Sequence, residues 1–204
     1  IVSIHEQHWL RLFCLSLIAT GCGSMFYHAA PDNFSLFWDR LPMTITFSIF
    51  FCLVLASHIS LPLARRILLP LLALGAVTTL HWEISELRGE GDLRFYAAFQ
   101  FLPLTLVSMM LVLFESRGLE KRWLIATVLA YLAAKLCEMN DERIFALGGM
   151  ISGHTLKHLV AALGAWWVVK AALPTAHQSA QKLCPALNST PDTSTSALHG
   201  TGSI

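Results

Sequence analysis

Six apolar stretches, at roughly 8–28, 40–59, 62–82, 93–114, 122–138 and 153–173, follow one another through this chain with short polar connections. Each is close to the about 20 residues that a helix needs to cross the hydrocarbon core of a bilayer. Lipid offers a peptide group no hydrogen-bond partner, so such segments must be helical and satisfy their own backbone. The expected fold is therefore all-α, a polytopic membrane helix bundle of six spans over residues 1–173. Composition agrees: 13% of the residues are charged, about half the usual share of soluble domains. The mean hydropathy is +0.59. A net charge of +1 gives no support to a nucleic-acid partner. From Pro174 the chain turns to Ser, Thr, Pro, Gly and Asn, and 174–204 reads as a disordered cytoplasmic tail.

Prolines punctuate the segments without forbidding them. Pro42 is expected in the first turn of the second helix, where its missing N–H costs little. Pro62, Pro70 and Pro103 lie in or beside other segments, which membrane helices tolerate when neighbours satisfy the freed carbonyls. Cys14, Cys22, Cys52, Cys137 and Cys184 form no CxxC pair and read as small packing residues rather than a disulfide or metal framework.

Six spans place the chain alternately on two sides. Arg11, Arg65, Arg66, Arg117, Lys121, Arg122, Lys170 and Lys182 fall on one side. Arg40, Arg88, Arg94, Lys135, Arg143 and Lys157, several close to acids, fall on the other. The excess makes the first side cytoplasmic, with the C-terminus there. The first segment then runs outward to His28, the second begins outside with Asp39, and the last begins outside with His154 and His158. Ser24, one turn before His28, reaches the same depth. Polar side chains at such positions are expensive in lipid and are read as functional.

The chemistry of that set is specific. His154 and His158, four apart, project from one face of a helix with Cβ atoms about 6 Å apart, a spacing that lets one helix give two ligands to one metal. Three imidazoles, His28 joining these two, leave one position open, which is the pattern of a catalytic rather than a structural zinc site. Water at that position has its pKa lowered toward ~7. Asp39 is then the candidate general base and Ser24 the candidate oxyanion donor. The reaction class implied is hydrolysis of an amide or ester whose acyl chain lies in the bilayer.

Ser24-x-x-x-His28, Asp39 eleven residues after His28, and His154-x-x-x-His158 together resemble the alkaline ceramidase family, within the superfamily of seven-helix membrane hydrolases that includes the adiponectin receptors. Pro31-Asp32-Asn33, Trp38-Asp39-Arg40-Leu41-Pro42-Met43-Thr44, Gly91-Asp92-Leu93-Arg94 with Tyr96, and Ser152-Gly153 ahead of His154 carry the likeness further, over roughly 10–172. The resemblance implies zinc held by His28, His154 and His158, with Asp39 orienting or deprotonating the water and Ser24 assisting. It implies cleavage of the N-acyl amide of ceramide, or of another N-acyl membrane lipid, to a fatty acid and a sphingoid base. Two departures stand out. Six helices are found where seven are expected, and the chain opens on Ile1-Val2-Ser3 rather than Met, so it reads as lacking its first helix. The acidic N-terminal calcium site of ceramidases has no counterpart before residue 10, which puts calcium dependence in doubt.

A receptor or scaffold with the same zinc in a structural role is the alternative reading; a pore is disfavoured, because charges do not line several helices along their length. Other polar residues are expected to be structural. His81, Trp82, Glu83 and Glu86 read as interfacial anchoring beside a solvated acidic loop. Glu138, Asp141, Glu142 and Arg143 read as an inter-loop ion pair, and Lys157 as snorkelling to the interface.

Overall fold

The structure, a computed structural model, describes residues 4–148 and 152–173. Seven helices run through them: α1 Ile4–Ala29, α2 Asn33–His58, α3 Leu61–Leu87, α4 Arg94–Leu113, α5 Lys121–Met139, α6 Asp141–Gly148 and α7 Gly153–Ala172. No strand occurs among the described residues. The tail from Pro174, with Cys184, lies outside them.

Among the described residues, four helices are long and apolar enough to cross a membrane: Gln7–Ala29, Asn33–His58, Leu61–Leu87 and Arg94–Leu113. These four are the structural basis for reading the chain as a membrane protein. α5 and α7, the other two expected spans, do not reach the same hydropathy. Lys121, Arg122, Lys135 and Glu138 interrupt α5, and His154, Lys157, His158 and Lys170 interrupt α7. The residues that lower the hydropathy of α7 include two of the candidate ligands. The expected 139–152 loop also contains a helix of its own, the short α6.

The second helix starts earlier than its apolar run does. Asp32 caps it: its Oδ1 accepts the Ser35 N–H at 2.6 Å, while Ser35 Oγ accepts the Asp32 N–H at 3.0 Å. These reciprocal bonds satisfy two of the donors that every helix start leaves orphaned. The connection from α1 therefore shrinks to 30–32. Asp39, expected at the opening of the helix, and Pro42, expected in its first turn, both lie well inside α2. Pro42 has no N–H to offer the Trp38 carbonyl four residues back. That carbonyl lies on the α1 side, where Gly23 packs against it.

The Ser35 N–H and hydroxyl hold the Asp32 carboxyl below its ordinary value of 3.8. A carboxyl depressed by folding adds stability above its unfolded pKa, and loses it as pH falls through the folded pKa. Asp32→Ala is accordingly expected to lower the unfolding temperature at pH 7, with the gap to wild type narrowing at pH 3. Thermal unfolding in detergent at the two pH values checks this; a gap that widens in acid would contradict it.

α1 packs on α2, α2 also on α3 and α4, and α5 on α7, with α4 reaching α5 and α1 reaching α7. The apolar core gathers at one end. Cys52, Leu53, Val54, Ala64, Val107, Leu124, Val168 and Ala171 are buried there. The 114–120 connection ties that end together, Arg117 N–H to the Ser57 carbonyl at 2.9 Å and Glu120 N–H to the Ala171 carbonyl at 2.8 Å. At the opposite, more polar end, which holds the end of α1 and the starts of α2 and α7, helix caps and ion pairs sit beside aromatic contacts. There the Gly91-Asp92-Leu93-Arg94 motif is a structural corner. Gly89 and Gly91 take φ of +77° and +60°, a region that glycine enters without steric cost. Asp92 accepts the Arg94 N–H and pairs with its guanidinium at 2.8 Å.

Candidate metal centre

Three imidazoles meet at the polar end. His28 Nε2 lies 3.1 Å from His154 Nε2, which lies 3.1 Å from His158 Nε2. The ligand atoms of all three fall within 4.8 Å of one another. α7 supplies His154 and His158 from adjacent turns of one face, and α1 brings His28 from the far side of the sequence. Hydrogen bonding does not account for this grouping. A ring nitrogen of neutral imidazole carries either one proton or one lone pair, so His154 Nε2 cannot serve both neighbours. Protonating the rings would set like charges side by side. A cation that accepts all three lone pairs resolves both problems. Tetrahedral zinc with Zn–N bonds of about 2.0–2.1 Å would separate its nitrogens by about 3.3 Å, close to the observed spacing. The residues thus fit a three-histidine zinc site with a fourth position left over.

Close helix contacts position these residues. At Gly23 an added Cβ would run into the Trp38 carbonyl oxygen and stand 3.2 Å from the Asp39 Cα. α1 and α2 therefore touch backbone to backbone beside Asp39, as small residues allow in membrane bundles. Ser24 follows directly, half-buried, and His28 comes one turn later. The Ser24 hydroxyl makes no hydrogen bond among the described residues. By contrast Ser16, Ser48 and Thr78 bond carbonyls three or four residues back on their own helices. Ser24 is thus a hydroxyl held at the site without a structural commitment of that kind. Asp39 lies at the α1–α2 crossing, and its carboxylate has no hydrogen bond among the described residues. The structure therefore brings the histidines together and sets Ser24 and Asp39 at the α1–α2 crossing, one turn before His28 along α1.

Several residues read as peripheral take definite places around this centre. Glu138 bridges Lys135 and Lys157, its two oxygens receiving their ammonium groups at 2.6 and 2.7 Å. Lys157 does not snorkel freely, because the pair with Glu138 holds it to α5. Trp82 is not interfacial either; it is 1% exposed and its indole N–H donates to Glu86 at 3.0 Å. The Arg40 guanidinium lies 3.8 Å from its ring centre and 5.2 Å from that of Tyr96, a cation–π arrangement that spreads a buried charge over aromatic faces. Of the expected loop pairs, Arg143 among the described residues reaches only Asn140, at 3.5 Å. Asp141 instead accepts the backbone N–H of His154. The sequence places Glu138 and Asp141 at this end only as members of an ion pair, and assigns no role to the close approaches at Gly23 and Gly153. Their signal is tertiary, apart from the placement of each glycine directly before a candidate site residue.

Among the described residues, helices alone, four of them long and apolar enough to cross a membrane, and a three-histidine cluster at one end define a class: a helical protein with candidate membrane spans and a candidate metal centre. Comparison with family models, with curated proteins and with solved structures gave no match.

Proposed function

We propose that the chain is a zinc-dependent membrane amidohydrolase of the alkaline ceramidase type, cleaving the N-acyl amide of ceramide-like lipids to a fatty acid and a sphingoid base. One observation carries this reading: three imidazole nitrogens from α1 and α7 converge at metal-ligand spacing, with Asp39 and an uncommitted Ser24 hydroxyl at the α1–α2 crossing one turn before His28. In this reading α5 and α7 also cross the membrane. The metal end lies on the non-cytoplasmic side, following the distribution of Lys and Arg.

His28, His154 and His158 would hold the metal. Zinc, when bound, supplies a Lewis acid that polarises an amide carbonyl and makes water a competent nucleophile near neutral pH. Asp39 accepts the proton of the attacking water at its carboxylate. It returns that proton to the leaving nitrogen, so the amine departs neutral and the acyl group leaves as a carboxylic acid. Ser24 Oγ donates to the carbonyl oxygen as negative charge develops there. The acyl chain stays in the bilayer throughout, which suits a site at the end of apolar helices.

Purified protein in detergent is expected to carry about one zinc per chain and to release fatty acid from an N-acyl sphingoid lipid. Chelation should stop turnover and added zinc restore it. Zinc-loaded protein that binds such lipids but releases no fatty acid would favour a receptor or scaffold with a structural metal. Folded protein that takes up no zinc would remove the hydrolase reading.

A further inference from the structure

The first N–H groups of a helix have no partner within it. In α7 two of them are taken up by different means. The Thr155 N–H goes to Ser152 Oγ at 3.1 Å, a local cap three residues back. The His154 N–H goes to Asp141 Oδ1 at 2.7 Å, an acceptor thirteen residues away at the start of α6. The second bond is not local. It fixes the first turn of α7, in height and rotation, against the α5–α6 corner.

Two further contacts act in the same place. Gly153 lies so close to that corner that an added Cβ would meet the Cys137 carbonyl and stand 2.8 Å from the Asp141 Cα. One turn along, Lys157 is held to Glu138 of α5. His154 and His158 thus project from a turn clamped to α5 and α6, while His28 arrives on α1. α1 touches α7 only sparingly, so packing between those two helices does little to set the geometry. The setting of α7 has to come from its other side.

Resting on the metal-centre reading above, we propose that Asp141 is a positioning residue for that centre, fixing His154 through its backbone N–H rather than touching the metal or the substrate. Removing the acceptor frees the turn to rotate and fray, and ligand nitrogens near 3 Å apart tolerate little of either. Partners that orient ligands in this indirect way are typically worth about 10–100-fold in metal affinity.

The test is zinc affinity of the purified full chain, by competition with a chromophoric chelator. Asp141→Ala is expected to weaken zinc about tenfold or more. Asp141→Asn keeps an acceptor oxygen and loses only the charge near the helix start, so it should stay within roughly threefold of wild type. Glu142→Ala, at an exposed neighbouring acid, should change nothing. Asp141→Ala binding zinc as tightly as wild type overturns the proposal, and so does Asp141→Asn falling as far as Asp141→Ala. If the alanine variant fails to fold, Asp141→Glu replaces it: it keeps the charge but displaces the acceptor, and must bind zinc more weakly than Asp141→Asn. The reverse order overturns the proposal. Wild type that takes up no zinc overturns the metal-centre reading and this inference together. A tight wild-type site unaffected at Asp141 overturns this inference alone.

Discussion

His154→Ala is expected to lose both bound zinc and lipid amide turnover, the latter by about 10³-fold or more, as loss of one member of a catalytic unit typically does. The imidazole lies between the other two, 3.1 Å from each. Its removal leaves His28 and His158 on separate helices with no ring between them. Asp39→Asn is the informative companion. It removes a proton acceptor without removing a ligand, so zinc content should hold while turnover falls by about 10²–10⁴-fold, the usual range for a general base. The two variants separate binding from chemistry. A metal-free His154→Ala that still hydrolyses the lipid would end the zinc mechanism. Asp39→Asn with full zinc and full turnover would leave the metal in place and remove Asp39 from the reaction.

Spacing makes the histidine cluster legible and leaves its support hidden. His154 and His158 stand one turn apart wherever the helix starts, so HxxxH places two nitrogens on one face without knowledge of the fold. In the six-span expectation, alternation of the segments brings His28 to the same end, and the structure sets its Nε2 3.1 Å from His154 Nε2. Asp39 was placed at the right end but in the wrong part of its helix. Apolar residues begin near position 40, whereas the helix begins where Asp32 and Ser35 exchange hydrogen bonds. The signal was present as an acid three residues before a serine, yet a polar first turn hides it from a hydropathy reading. Trp82 was misplaced for a different reason. Interfacial tryptophan is a sound expectation, but the guanidinium of Arg40 covers the ring, and no periodicity announces a pairing between α2 and α3. Asp141 was unreadable because an eight-residue helix and a further connection separate it from His154. The hydropathy of α5 and α7 marks a limit of the same kind. Charged residues such as Glu138 and Lys157 lower the hydropathy of those helices, although the partners neutralise each other across the contact.

Gly23→Ala is expected to destabilise the protein by about 1–3 kcal/mol, the common cost of overpacking a tight contact, and to weaken zinc binding as well. The added methyl has nowhere to go: it meets the Trp38 carbonyl oxygen, a backbone atom that cannot rotate aside, and stands 3.2 Å from the Asp39 Cα. Relief requires α1 to move off α2. That movement separates Ser24 from Asp39 and carries His28 away from α7, so fold and site are disturbed by one displacement. Gly21 supplies the control, because an added Cβ there meets nothing within 4 Å. Alanine favours a helix interior over glycine by up to about 1 kcal/mol, so Gly21→Ala should be neutral or slightly stabilising and keep its zinc. Thermal unfolding and zinc affinity, measured for both variants, separate a contact effect from a propensity effect. Equal behaviour of the two alanines would mean that α1 and α2 do not meet at Gly23 as described. A stable Gly23→Ala with weakened zinc would show that the crossing sets the ligand geometry more than it holds the fold.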